Sequence, residues 1–314
     1  MLKANIKDYY ELNYTIPEKL NKYYFFDKLD NSIVHYNKNK DEFTSCWKLN
    51  DFNEKISSIS LSLNKKILYA CLTSKKVVKL FYFDGKQFFM KKQEIIDNED
   101  INSHFNKCIQ LTNKYLATAD DDNIIIWNNN NSKQFEIEKK IVIGAKTSDL
   151  ILVNNEYFIS SQPDKKIIVI ININSFEISN TILNVDCIDS QNSLLSLQNF
   201  IIINCVKGIQ LLFKKTREIT QNIQNFDKEL ENKELYVYNN KLYILQQQKD
   251  NRYLSNIKLS IFEFSDGFLE KIQEYEKTKI EDYNLKIMVM NEEQIFLLGE
   301  TMHILSQNKD LNNI

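Results

Sequence analysis

The stretch "KYLATADDDNIIIWN", Lys114 to Asn128, is an apolar run, a short acidic turn and a second apolar run ending at Trp127. Two readings compete for it. Either it is a β-hairpin whose acidic residues make the turn, or Asp120, Asp121 and Asp122 gather to bind a cation or move protons. Successive side chains of an extended chain point in opposite directions, so three consecutive carboxylates converge poorly on one ion. Asp at a turn hydrogen-bonds its own backbone. The hairpin is therefore the expected reading, with Asp121 at the turn position.

The pattern recurs along the chain. "KYYFFDKLDNSIVHYN" begins at Lys22, "KILYACLTSKKVVKLFYF" at Lys66, "EYFISSQPDKKIIVIN" at Glu156, "NFIIINCVKGIQLLF" at Asn199, "KLYILQQQKDNRYLSNIKLSIFEF" at Lys241 and "EQIFLLGETMHILSQ" at Glu293. With the Lys114 stretch in place, the starts lie 44, 48, 42, 43, 42 and 52 residues apart. Shorter strand candidates flank these pairs. "SSISLSL", "KCIQLT", "DLILV", "SLLSL", "ELYVY" and "KIMVM" precede them; "FTSCWKL", "FFMKKQEI", "FEIEKKIVI", "FEISNTIL", "REITQNI" and "FLEKIQEY" follow. Each unit thus offers four strands, and a period of about 40–45 residues with four strands per unit marks a propeller blade. "EIIDNEDINSHF" and "NFDKELENKELY" sustain no helical apolar face and are read as loops.

One such sheet cannot bury both of its faces, whereas sheets stacked around an axis bury nearly all of them. The expected fold is all-β: a single domain over residues 1–314, a seven-bladed β-propeller of four-stranded antiparallel blades, or six-bladed if the first and last units merge. A strand from Leu2–Tyr14 is expected to complete the last blade and close the ring.

At the Lys114 stretch the chain resembles the WD40 repeat. That resemblance implies a hydrogen-bonded structural set of a loop His, a strand Ser or Thr, a turn Asp and a strand Trp. In the third unit the matching residues are His104, Asp121 and Trp127, with Ala117 at the Ser position. The fourth unit supplies Ser160 and Asp164, with Ile170 in place of Trp. The middle pair, "YLATADDDNIIIW" and "YFISSQPDKKIIVI", is also similar to non-catalytic WD-repeat subunits that support tRNA guanine-N7 methyltransferases. That likeness implies a methyltransferase partner and a role in tRNA processing.

Composition narrows the function classes. The chain has 314 residues, 43% hydrophobic and 26% charged, which suffices for a packed core. Its net charge of -2 lacks the basic excess of a dedicated nucleic-acid or membrane-surface protein. No apolar run approaches the length that spans a bilayer, and "MLKANIKDYYELNYT" has no apolar core suited to a signal peptide. Cys46, Cys71, Cys108, Cys187 and Cys205 are dispersed and odd in number, as buried thiols of a reducing compartment would be; the cytoplasm or nucleus is expected. With 5 Gly and 2 Pro, turn work falls to Asn.

Candidate chemistry is sparse. His35 and His303 sit within strand candidates, and no nucleotide-binding, zinc-protease or nucleophile-elbow motif occurs. Neither catalytic residues, nor a metal, nor a cofactor, nor a small-molecule substrate is expected. Among recurring lysine pairs, Lys75, Lys76, Lys165 and Lys166 occupy equivalent turns of the second and fourth units. Two readings stand for them: solvated protection of sheet edges, or a stripe that contacts RNA or a partner. The functional expectation is a non-catalytic scaffold for protein partners, with a propeller enzyme as the rival.

Overall fold

The structure, a computed structural model, describes residues 22–27, 32–37, 42–48, 56–64, 66–73, 75–83, 88–96, 104–129, 135–188, 193–206, 208–224, 231–250, 254–265, 268–280, 286–291, 294–298 and 302–306. The expected closing strand, Leu2–Tyr14, lies outside the described residues. Among those described, every regular element is a β-strand and no helix occurs.

The strands form seven antiparallel meanders. The first sheet has three strands, β1 (Lys22–Asp27), β2 (Ser32–Asn37) and β3 (Glu42–Lys48). The next three have four each: β4 (Ile56–Leu61), β5 (Ile67–Leu72), β6 (Val77–Phe83) and β7 (Phe88–Ile96); β8 (Lys107–Gln110), β9 (Tyr115–Ala119), β10 (Asn123–Asn129) and β11 (Phe135–Val142); β12 (Asp149–Leu152), β13 (Tyr157–Gln162), β14 (Ile167–Asn172) and β15 (Ile178–Leu183). Two more sheets of four follow: β16 (Leu194–Leu197), β17 (Phe200–Cys205), β18 (Gly208–Phe213) and β19 (Glu218–Gln224); β20 (Glu231–Tyr238), β21 (Lys241–Asp250), β22 (Leu254–Ser265) and β23 (Phe268–Ile280). A three-stranded sheet of β24 (Lys286–Asn291), β25 (Gln294–Leu298) and β26 (Met302–Ser306) ends the series. The chain divides into two compact units, one drawn from Tyr14–Leu194 and one from Leu195–Ile314.

The repeat extends to the turns. Entering the second strand, Thr112 Oγ1 accepts from the backbone N–H of Lys114 and Tyr115, both at 3.1 Å. Asn154 Oδ1 accepts from Glu156 and Tyr157 at 2.8 and 2.9 Å, and Asn64 Oδ1 from Lys66 at 3.0 Å. Side-chain oxygens thus hold turns that glycine holds elsewhere. Between β20 and β21, Asn239 and Asn240 both adopt positive φ, 45° and 62°, as a two-residue hairpin turn matched to strand twist requires.

The last strands carry a second repeated feature. β11, β15 and β19 each hold one extra residue against their partner: Glu138, Ser179 and Thr220, at successive intervals of 41. β3 does the same at Cys46 and β23 at Ile272. A bulge bends the edge and sharpens its twist, which hinders strand addition from another molecule.

Packing follows from strand alternation. On β10, Ile125 and Trp127 enter a cluster with Tyr69, Cys71, Val78 and Leu80 of the preceding sheet. Ile124 and Ile126 enter another with Phe158, Val169 and Ile171 of the following sheet. One strand thus buries both faces, each against a different neighbour, and each fully buried isoleucine contributes about 1.5–3 kcal/mol. The Leu195–Ile314 unit repeats the scheme. Ile202 and Leu211 pack with Leu242 and Ile244, while Tyr243 and Leu245 pack with Ile287, Ile295 and Leu297.

One loop expectation is corrected. Glu231–Tyr236, the second half of "NFDKELENKELY", is strand, because β21 runs on far enough to pair Gln247 with Glu231 and Gln246 with Asn232.

Candidate functional site

The three carboxylates of the opening stretch diverge. Asp120, at the end of β9, is 2% exposed. Its Oδ1 accepts from the backbone N–H of Asp122 at 2.8 Å and of Asn123 at 2.6 Å, and its Oδ2 lies 2.7 Å from Lys76 Nζ. Asp121 is exposed and accepts from Asn106 Nδ2 at 2.9 Å. Asp122 is exposed, and its carbonyl receives Ile143 N and Gly144 N. The stretch is a hairpin turn, and the inward acid is Asp120, one residue before the expected Asp121. The reason is local: the N–H groups of Asp122 and Asn123 lie two and three residues beyond Asp120, the spacing at which an Asp carboxylate caps a turn.

The hydroxyl partner of Trp127 also shifts by one. Trp127 Nε1 donates to Thr118 Oγ1 at 2.8 Å in a fully buried contact. Thr118 pairs with Ile125, which puts it on the same face as Trp127, whereas Ala117 faces the next sheet. His104 is half-buried just ahead of β8; its neighbour Phe105 packs edge-on against the Trp127 ring, with centroids 6.3 Å apart.

In the following sheet, Ser160 stands where Thr118 stood, and Ile171, not Ile170, occupies the Trp127 position, pairing with Phe158 as Trp127 pairs with Leu116. Ser160 is fully buried, with Thr147 Oγ1 at 3.3 Å and Gln162 Nε2 donating at 2.5 Å. Asp164 is exposed in the β13–β14 turn. The residue matching Asp120 is Gln162, so this sheet carries an amide where its predecessor carries an acid.

The four lysines separate. Lys76 is buried and neutralised by Asp120, so it is removed from any RNA-facing stripe. Lys75 is half-buried. Lys165 is exposed, and its Nζ donates to the Ile143 carbonyl at 3.0 Å. Lys166 is exposed, holds φ 54° and pairs with Asp186 at 3.0 Å. Lys214 is tied inward, donating to Ser196 Oγ at 2.7 Å and the Gln198 carbonyl at 2.6 Å, and burial lowers its pKa below that of an ordinary lysine.

A polar seam that sequence reasoning missed links three consecutive sheets of the Tyr14–Leu194 unit and ends on Leu194, the first residue of β16. Ser57 Oγ donates to the Phe105 carbonyl at 2.7 Å, and Lys76 reaches Asp120. Lys107 Nζ, at the head of β8, lies 3.2 Å from Asp149 Oδ1 at the head of β12. Asp149 Oδ2 then accepts from Leu194 N at 3.1 Å. Ser148, Ser161 and Ser193 share hydroxyl hydrogen bonds beside it. The signal was present in the sequence: Lys107 and Asp149 are charges that open otherwise apolar strands, "KCIQ" and "DLIL".

These charges serve each other. A buried ammonium or carboxylate persists only with a partner at hand, and here each partner comes from the neighbouring sheet. Among the described residues no three His, Cys, Asp or Glu side chains are gathered as metal ligands.

The chain matches no protein-family model and no curated protein sequence. It does share its fold with solved structures. The β-propeller domain of Cps50 (Swd1) from Myceliophteria thermophila aligns with a TM-score of 0.65 at 11% identity over 98% of both chains. A chain of the Mitotic Checkpoint Complex aligns at 0.66 and 11%, over 96% of this chain and 89% of that one. KlHsv2 with loop 6CD replaced by a Gly-Ser linker aligns at 0.62 and 10%, over 96% and 93%. The likeness is one of fold.

Proposed function

We propose that this chain is a non-catalytic scaffold of the WD40-like propeller class, a single domain that presents a rigid surface on which protein partners assemble. The seven sheets would be blades of one ring, closed by the segment Leu2–Tyr14. The observation that carries the reading is where the charged groups of the seam go. Lys76, Asp120, Lys107 and Asp149 are all buried in pairs between consecutive sheets, so they stiffen the structure and are not presented to a ligand. A stiff framework loses little conformational freedom when its loops are engaged, which favours broad contacts with proteins. The likeness in fold to a chain of the Mitotic Checkpoint Complex supports the same reading.

Affinity purification of the tagged protein from its own cells tests it. A stable complex with other proteins is the expected result; a lone protein that turns over a small molecule would replace the scaffold with an enzyme. The narrower reading, support of a tRNA guanine-N7 methyltransferase in the nucleus or cytoplasm, rests on the sequence resemblance and predicts a methyltransferase in the purified complex. An RNA contact would fall to Lys75, Lys165 and Lys166, since Lys76 is enclosed.

A further inference from the structure

Cys71 and Cys108 belong to different sheets and meet in one buried cluster. Cys71 lies on β5 and Cys108 on β8, strands that run against each other. Both side chains are 0% exposed and both are free thiols. Ser60 Oγ is 3.3 Å from Cys108 Sγ, and Cys71 stands opposite Ser58, two residues from Ser60 on the same face of β4. Lys107, next in the chain to Cys108, points to the opposite face of β8, toward Asp149, and acts on the thiol only as a nearby positive charge.

We propose that Cys71 and Cys108 are a dithiol pair that hydrogen peroxide closes into a disulfide, stapling the β4–β7 sheet to the β8–β11 sheet. The surroundings make the pair asymmetric. Burial pushes the Cys108 thiol up, but hydrogen bonds from Cys71 and Ser60 and the Lys107 charge outweigh it and leave the group below an ordinary thiol. Burial and the hydrogen bond to Cys108 hold Cys71 well above that range. Cys108 is therefore the nucleophile and Cys71 the resolving thiol.

In the first step the Cys108 sulfur attacks one peroxide oxygen and the O–O bond breaks. The sulfur becomes a sulfenic acid, and the departing hydroxide takes the thiol proton as water. Next, the Cys71 sulfur attacks the sulfenic sulfur. The S–S bond forms, the S–O bond breaks, and hydroxide leaves as water with the Cys71 proton. Two thiols and one peroxide give one disulfide and two waters. Full burial makes the reaction wait on a local opening between the sheets, so it runs slower than at an exposed thiol.

The test is peroxide treatment of the folded full-length protein, alkylation of the remaining thiols under denaturing conditions, and non-reducing peptide mass spectrometry. A Cys71–Cys108 cross-link is expected, with a melting temperature raised by several degrees and restored by dithiothreitol, because the link closes 37 residues of chain. The wild-type cross-link needs no variant to fold; a folded Cys71→Ser protein should halt at oxidised Cys108 without the shift. Both thiols still alkylatable after exposure that converts the protein's methionines to sulfoxide would overturn the proposal, as would links joining Cys71 or Cys108 only to other cysteines.

Discussion

Lys76 Nζ and Asp120 Oδ2 stand 2.7 Å apart, on turns of consecutive sheets, with each side chain 3% exposed. The pair joins two roles in one carboxylate. Asp120 Oδ1 caps the β9–β10 turn while Oδ2 holds the neighbouring sheet's lysine. Truncating one side of a buried ion pair strands the other charge, at a cost of about 3–5 kcal/mol. Lys76→Ala is expected to destabilise in that range and Asp120→Ala by more, since the cap goes too. Combining Lys76→Ala with Asp120→Ala should cost less than the two single changes summed, since the double variant leaves neither charge stranded. Chemical denaturation of the four proteins measures the coupling; additive losses would show that the two side chains act independently.

The Trp127–Thr118 contact makes a sharper claim. Thr118→Val keeps the volume but leaves Trp127 Nε1–H buried without its acceptor, at a cost of about 1–3 kcal/mol. Thr118→Ser retains the hydroxyl and should cost less. Adding Ala117→Ser to the valine variant should restore nothing, because Ala117 faces the opposite sheet. Recovery of stability in that double variant would return the hydroxyl position to residue 117.

How much of this was legible depended on scale. The hairpin pattern and its spacing located every described sheet, because burial of both faces writes runs such as Ile124–Trp127 and Phe200–Ile203 directly into the residues. Single-residue register was not legible. Ala117-Thr118 and Asp120-Asp121-Asp122 each read equally well one place along, and a one-residue slip in a strand exchanges its faces. The seam was hidden for another reason. Lys107 meets Asp149 across 42 residues, and although each charge opens an apolar strand, nothing in the sequence pairs one with the other.

Glycine poverty leaves a correctable strain. Gln198, in the β16–β17 turn, is exposed and holds φ 47°, where a side chain crowds its own backbone. Gln198→Gly should stabilise by about 0.5–1 kcal/mol, the gain being limited by the extra freedom glycine has in the unfolded chain. Gly144, at φ 64°, should respond in the opposite sense to Ala. Thermal melts of the two variants, moving in opposite directions, check the argument; a lowered melting temperature for Gln198→Gly would contradict it.

Acid should loosen one identifiable contact. Burial raises the Glu274 pKa, but hydrogen bonds from Lys271 and Lys258 outweigh it and hold the carboxyl below its ordinary value. Lys258 Nζ lies 3.0 Å from Glu274 and 3.0 Å from Glu276, pinning β22 to β23. A group whose folded pKa is depressed lends stability above its unfolded pKa and loses it as pH falls through the folded one. Glu274→Gln should therefore lower stability at neutral pH and converge with the parent in acid, once the pH has fallen below the depressed folded pKa. Parallel melts from neutral to acid pH read the difference; a gap that stays constant would assign the effect to packing instead of charge.

The last prediction concerns the ends of the chain. The first and last sheets have three strands each among the described residues, where the five between them have four. A sheet short of a strand leaves backbone donors and acceptors, and an apolar edge, without cover. If residues from Leu2–Tyr14 supply the missing strand of the last sheet, deleting residues 1–18 should lower the melting temperature by many degrees and promote aggregation. Adding the excised segment back as a peptide should recover part of the loss, because it would refill the same edge. An unchanged melt after deletion would count against a strand from Leu2–Tyr14 completing the last sheet.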